Sequence, residues 1–438
     1  MTRKQSGSSA ESVPVLKRPG HRSIRVPGSK SLTARMIMLG ALGAGRTTLK
    51  NPLVCDDTNM LAEAMATIGV GVKWTPSKIV LHGIDGKPPH GGKVNLGAGG
   101  TPSRFMIAAG ALAKAPLVVD GNAKMRTRPI GELVTLLQTL GVEFDNDTLP
   151  VTVNGDDFHG GTLDVPITKS SQFISALLLI APFVDGGITL RCETPVTSST
   201  YIDLTIATLH TFGVEVSDST EGDKRIIAVP QKRVTHRDIE VEPDASSAVY
   251  FAAVAAIHKG LTVTLEGLSL NSSQPDIEAI RLLGTIGAEV VDTENGIKVT
   301  GTGTVRGFEN VDASGFPDAS LCLAAVAAFA DSPSRIYGLE TLPLKESDRI
   351  EVMARSLAKI GCGVASSDSD IRISPMLSTA PNMKVAVDPV DDHRIAMAMA
   401  VVGTKRHGVS IVNPNCVSKS YPNFWNDLRV VYEGKEVT

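Results

Sequence analysis

The 438-residue chain is poor in cysteine. Its five thiols, Cys55, Cys192, Cys322, Cys362 and Cys416, are scattered, with no C-x-x-C pair. That argues against a disulfide framework or a structural zinc site and favours a reducing compartment. No run of about eighteen apolar residues occurs, so no membrane-spanning helix is expected. The first twenty residues lack the apolar segment of a signal peptide and read as a flexible N-terminal arm (1–20), which points to a cytoplasmic protein. Basic residues do not dominate either. A formal net charge of −3 argues against a general nucleic-acid surface, although it leaves room for a local basic cleft.

What is present is repetition. An apolar-Gly-small-x-apolar signature recurs around Gly69, Gly141, Gly213, Gly287 and Gly361, at spacings of 72, 72, 74 and 74 residues. Each copy follows a helical pattern, such as Asp57 to Thr67, and reads as a left-handed helix cap leading into a strand. Between these copies lie six Ala-rich helices: about Ser31–Leu42, Pro102–Leu112, Gln172–Pro182, Ser246–Ile257, Asp318–Phe329 and His393–Val402. Each leads into a short β-like run, for example Thr47-Thr48-Leu49 or Val409-Ser410-Ile411. The pattern predicts six α/β units of roughly seventy residues, the sixth completed by Tyr421 to Val431, grouped as two pseudo-symmetric domains of three units. Helices with so little polar face should be buried between sheets.

Polar clusters stand at the starts of these helices. They include Gly28-Ser29-Lys30-Ser31, Gly97-Ala98-Gly99-Gly100-Thr101, Thr168-Lys169-Ser170-Ser171-Gln172, Pro243-Asp244-Ala245-Ser246-Ser247, Phe316-Pro317-Asp318 and Asp391-Asp392-His393-Arg394. Helix N-termini attract anions, while ordinary capping explains any single cluster and is preferred for the one at Pro243. Lys30, Arg35, Arg128, Lys345, Arg349, Arg394 and Lys419 add cations beside apolar runs, which suggests a substrate with several phosphates or carboxylates. Lys30 does not belong to a nucleotide-binding P-loop. Ser29 precedes it where that motif needs glycine, and Ser23, five residues before Gly28, is not glycine either.

Nine motifs in register then carry a resemblance. Pro27-Gly28-Ser29-Lys30-Ser31 with Arg35, Gly97-x-Gly99-Gly100-Thr101, Arg128-Pro129-Ile130, Ser170-Ser171-Gln172, Ser198 with Tyr201, Pro317-Asp318-Ala319, Lys345-Glu346-Ser347-Asp348-Arg349, Asp392-His393-Arg394 and Lys419 occur in the order of the 5-enolpyruvylshikimate-3-phosphate synthases. The resemblance spans about residues 21 to 430. It implies an α/β protein of two domains, each of three βαβαββ units, an inside-out α/β barrel. The expected division is 31–240 against 21–30 plus 241–438, with the active site in the interdomain cleft.

It also implies transfer of the enolpyruvyl group of phosphoenolpyruvate to the 5-hydroxyl of shikimate 3-phosphate, with loss of phosphate, no metal and no cofactor. Asp318, Glu346 and Lys30 would be catalytic, and His393 has either a proton role or an orienting one. Shikimate 3-phosphate would meet Lys30, Ser31, Arg35, Ser170, Ser171, Gln172, Ser198, Tyr201, Asp318, Thr341 and Lys345. Phosphoenolpyruvate would meet Lys30, Gly100, Arg128, Gln172, Arg349, Arg394 and Lys419. The resemblance further implies a monomer whose domains close on substrate, inhibited by glyphosate because Gly100 is kept. Ala98 and Thr341 depart from the asparagines common in the family. A sister transferase acting on UDP-N-acetylglucosamine is disfavoured because Lys124-Met125-Arg126-Thr127-Arg128 lacks its reactive cysteine. A paralogue with another cyclic alcohol and an inert anion-binding scaffold are the remaining alternatives. Cys416 is expected to be an incidental thiol.

Overall fold

The computed structural model describes residues 10–75, 77–376 and 383–434. The chain divides into two compact units. One is 27–242; the other joins the described residues up to Val26 with those from Pro243 onward. The boundary differs from the expected one. Pro27–Lys30 and residues 241–242 belong to the 27–242 unit, because Ser29 caps the helix Lys30–Leu42 and its own N–H donates to the Glu242 carbonyl.

Within the 27–242 unit, three helices, Lys30–Leu42, Gly100–Gly110 and Ser171–Ile180, pack on one another and are buried almost throughout. Three four-stranded sheets accompany them. In each sheet an edge strand runs parallel to its neighbour and a hairpin adds two antiparallel strands. Gly92–Asn95 pairs parallel with Leu117–Asp120, which pairs antiparallel with Val151–Asn154. The first sheet takes its parallel edge from the far end of the unit, where Asp238–Glu240 lies beside Ala44–Lys50.

The other unit repeats this plan. Ala245–Ile257, Pro317–Ala327 and His393–Gly403 pack together, and every residue of the first is buried. Apolar side chains all round such a helix can be removed from water only by neighbours on every side, each fully buried Leu or Ile being worth ~1.5–3 kcal/mol. Here too an early strand completes a late sheet, since His21–Ile24 runs parallel to Thr262–Glu266. Because the residues up to Val26 belong with those from Pro243 onward, the chain passes from one unit to the other twice. No sheet closes on itself among the described residues; the barrel of the expectation consists, in each unit, of separate sheets and buried helices.

The repeat glycines behave as read. Gly69, Gly141, Gly213, Gly287 and Gly361 all have φ between 78° and 123°, a region costly for any residue with a Cβ. The N-terminal arm is a correction. Residues 1–9 lie outside the described residues, but Ala10–Ser12 forms an antiparallel strand on Val409–Val412, and Val13 is 5 % exposed. This supplies the sixth sheet with the antiparallel edge that the other sheets take from a hairpin. Val13 fills the space beside Gly403, where a Cβ would come within 2.5 Å of its own Cβ.

Candidate active site

In each unit several of the expected residues, among them Lys30, Gly100, Ser170, Asp318 and Arg394, stand at the N-terminal ends of the buried helices. In the 27–242 unit, the Ser29 side chain accepts from Leu32 N–H at 3.4 Å and sets the helix start, and Lys30 is the first helical residue. Lys30 Nζ reaches Asp57 Oδ2 at 3.1 Å. One turn on, the Arg35 guanidinium donates to Thr205 Oγ1 (2.8 Å), Ser31 O (3.0 Å), Ser175 Oγ (3.3 Å) and Tyr201 O (3.0 Å). All four acceptors are neutral. Burial therefore lowers its pKa to about 10, with a small opposing contribution from the Tyr201 phenol. A buried cation held only by neutral dipoles is suited to an incoming anion.

Gly100 opens the second buried helix, and space there is tight. A Cβ at this position would stand 2.6 Å from Arg128 Nη1 and 2.8 Å from Arg104 Nη1. Ser170 caps the third helix by accepting from Gln172 N–H at 3.3 Å. Ser198 is held at φ +47° just before the helix Thr200–Thr211 that carries Tyr201, a conformation rare for a non-glycine residue.

The other unit holds a denser charge cluster. Asp318 lies in the first turn of Pro317–Ala327. Its Oδ1 accepts from Arg349 Nη1 at 2.8 Å and lies 3.6 Å from Lys345 Nζ, while its Oδ2 is 3.0 Å from Arg394 Nη2. Glu346 is paired by Arg349 Nη2 at 2.6 Å and by Lys419 Nζ. Arg349 also donates from Nε to Asp392 Oδ2 at 2.8 Å. Asp392 is fully buried; besides Arg349 it accepts from Ser347 Oγ and caps His393–Gly403 through the Arg394 N–H.

Burial alone would raise the Asp318 carboxyl, but Arg394, Lys345 and Arg349 together hold it well below the usual carboxylate range despite Glu346. Burial would likewise weaken the Arg349 cation, yet Asp392, Glu346 and Asp318 push its pKa above the ordinary arginine value. The result is alternating cations and carboxylates in one cluster, with two carboxylates, Asp318 and Glu346, facing four cations, Lys345, Arg349, Arg394 and Lys419, that could bind an anion.

Three expected residues sit differently from their expected roles. The Thr341 hydroxyl is sealed from solvent without a hydrogen-bond partner among the described residues, so as placed it does not offer itself to a ligand. The His393 ring is 1 % exposed, with Nδ1 3.9 Å from Asp392 Oδ1, too long for a hydrogen bond. Asp244 stands at the N-cap of Ala245–Ile257 but accepts from the Ser247 hydroxyl at 2.6 Å, and its side chain makes no capping hydrogen bond. The helix-start N–H of Ala245 goes instead to Gln274. Burial, with Asp392 and Asp391, pushes the Cys416 thiol up to about 12, which fits an incidental thiol.

Four participants were not legible beforehand: Asp57, Arg104, Asp276 and the hub role of Asp392. Asp276 is 2 % exposed and accepts from the Ser246 hydroxyl. Burial pushes its carboxyl up to about 6, opposed by Arg394 and reinforced by Asp318 and Asp244. The native state therefore keeps this proton after the unfolded chain has lost it. The stability it lends is complete below about pH 4 and is lost as pH rises through about 6. Asp276→Asn should remove that slope. Thermal melts from pH 4 to 7 are expected to show the variant gaining on the parent as pH rises, by on the order of 3 kcal/mol at pH 7. Parallel curves would refute the assignment.

Comparison with known proteins follows the same lines. The model of the family described as EPSP synthase (3-phosphoshikimate 1-carboxyvinyltransferase) matches residues 19–428. A 3-phosphoshikimate 1-carboxyvinyltransferase of Methanoculleus marisnigri is 37 % identical over 416 residues, covering 94 % of this chain and 96 % of the relative. One of Syntrophobacter fumaroxidans is 36 % identical over 412 residues, covering 92 % and 95 %. Among solved structures, an EPSP synthase from Acinetobacter baumannii aligns with a TM-score of 0.79 at 25 % identity, over 96 % of this chain and 98 % of that one.

Proposed function

The chain belongs to the EPSP synthase family, and we propose on that premise that it transfers the enolpyruvyl group of phosphoenolpyruvate to the 5-hydroxyl of shikimate 3-phosphate, releasing phosphate. The observation that carries the reading is the pairing of two carboxylates, Asp318 and Glu346, with Lys345, Arg349, Arg394 and Lys419. Anion binding alone needs the cations, not the carboxylates among them. Addition followed by elimination needs both, because protons must leave the hydroxyl, reach the methylene carbon and leave it again.

In this reading Asp318 accepts the 5-hydroxyl proton and Glu346 delivers and removes the proton at carbon. Lys30, Arg128, Arg394 and Lys419 hold the phosphoenolpyruvate phosphate and carboxylate. Ser31, Arg35, Ser170, Ser171, Ser198, Tyr201 and Lys345 hold shikimate 3-phosphate. The low pKa of Asp318 makes it a weak base while Arg394, Lys345 and Arg349 act on it alone. A dianionic substrate on the same cations competes for their charge, so binding itself raises the basicity of Asp318 when it is required.

Phosphate release from phosphoenolpyruvate tests the proposal. Release is expected with shikimate 3-phosphate and not with UDP-N-acetylglucosamine; none with shikimate 3-phosphate would overturn it. The same reading has the enzyme working as a monomer in the cytoplasm and has glyphosate competing with phosphoenolpyruvate. Gly100→Ala bears on that last point. Its Cβ would stand 2.6 Å from Arg128 Nη1 and 2.8 Å from Arg104 Nη1, so both guanidinium groups must shift to admit it. The phosphoenolpyruvate KM should rise about tenfold with kcat and melting temperature little changed, since ~1.4 kcal/mol of binding is lost. Glyphosate inhibition should weaken more than phosphoenolpyruvate binding does. An unchanged KM would show that Gly100 does not face the ligand.

A further inference from the structure

We propose that Arg104 is a positioning residue that fixes which end of the Gln172 side-chain amide is turned to phosphoenolpyruvate, an inference that rests on the reading above. Arg104 lies one turn into Gly100–Gly110, and Gln172 is the second residue of Ser171–Ile180, two helices packed against each other. Arg104 is 2 % exposed, and its guanidinium lies over the Phe173 ring with Cζ 5.3 Å from the centroid. It donates from Nη1 to Gln172 Oε1 at 3.0 Å and to Gly100 O at 3.0 Å. From Nη2 it donates to Pro129 O at 2.7 Å.

An amide side chain has an acceptor end and a two-donor end. A buried guanidinium, which can only donate, holds Oε1 and so turns Nε2 away from itself. The amide then presents N–H groups, as a phosphate or carboxylate requires. Reversed, it would set donors against donors at Arg104 and an oxygen against the anion. The same guanidinium anchors the carbonyl of Gly100 and that of Pro129, the neighbour of Arg128. One buried side chain thus ties together Gln172, which the resemblance places against both substrates, the phosphoenolpyruvate residue Gly100 and the segment that carries Arg128.

A double-mutant cycle with Arg104→Met and Gln172→Leu tests this, read both as phosphoenolpyruvate binding by calorimetry and as steady-state KM values. Arg104→Met should weaken phosphoenolpyruvate about tenfold and shikimate 3-phosphate by less than about threefold. The double variant should bind no worse than the poorer single one, because Arg104 acts through Gln172. Arg104→Lys keeps the charge but not the fork, and should show most of the loss should the methionine variant fail to fold. Additive losses, or equal losses for both substrates, would overturn the proposal. If the parent releases no phosphate, the catalytic reading fails, and the calorimetric cycle still judges Arg104.

Discussion

Replacing Arg349 by Met is expected to lower the unfolding free energy by ~3–5 kcal/mol and to reduce turnover below detection. Arg349 is 1 % exposed and is shared among Asp318, Glu346 and Asp392. Met preserves much of the volume, so the cost is not a cavity. It comes from three carboxylates left in a poorly solvated cluster, one of which, Asp392, has no contact with water at all. Those groups must take up protons or draw in water, and either response disturbs the cap that Asp392 provides to His393–Gly403. Arg349→Lys keeps the charge, yet an ammonium cannot meet three acceptors spread around a planar fork. It should recover part of the stability and little of the activity. Denaturant unfolding in parallel with phosphate release measures both, and a Met variant as stable as the parent would refute the hub role.

Much of the fold could be read from the sequence because the repeat wrote it six times. All six Ala-rich segments are buried helices, and the five signature glycines take positive φ. What escaped was pairing between distant segments. Nothing in His21–Ile24 or Asp238–Glu240 says that each joins a sheet lying more than a hundred residues away in the chain, since strand partners are chosen by tertiary packing. The same holds for Ala10–Ser12. Its polar composition resembles a solvated arm, and only the open edge of Val409–Val412 makes it a strand.

The site divides along a similar line. Cations beside apolar runs were visible as anomalies, because an unpaired charge there is costly. Their carboxylate partners were not. Asp57 reads as a residue complementing the start of Asp56–Thr67, and Asp276 as one preceding Ile277–Thr285. Arg104 sits in the middle of an apolar helix, where burial on every side, not sequence context, defines its purpose. Gly100 was legible as a helix start, while the two guanidinium groups that a side chain there would displace come from residues 4 and 28 positions later.

The second large effect concerns Asp318 itself. Asp318→Asn keeps the shape and one acceptor oxygen but removes the base, and kcat should fall by about 10²–10⁴-fold. The direction of the KM change separates a base from a ligand. In the free protein the Asp318 charge is spent on Arg394, Lys345 and Arg349. Removing it leaves those cations more available, so phosphoenolpyruvate should bind as well as before or better, with KM unchanged or lower as kcat collapses. Glu346→Gln should lower kcat by a similar factor, and it frees Lys419 and Arg349 in the same sense. A residue that merely held the ligand would give the opposite pattern, a raised KM with kcat largely kept. If the Asn variant turns over at the parental rate, proton abstraction by Asp318 is wrong and Lys30, beside Asp57, becomes the group to examine as the base.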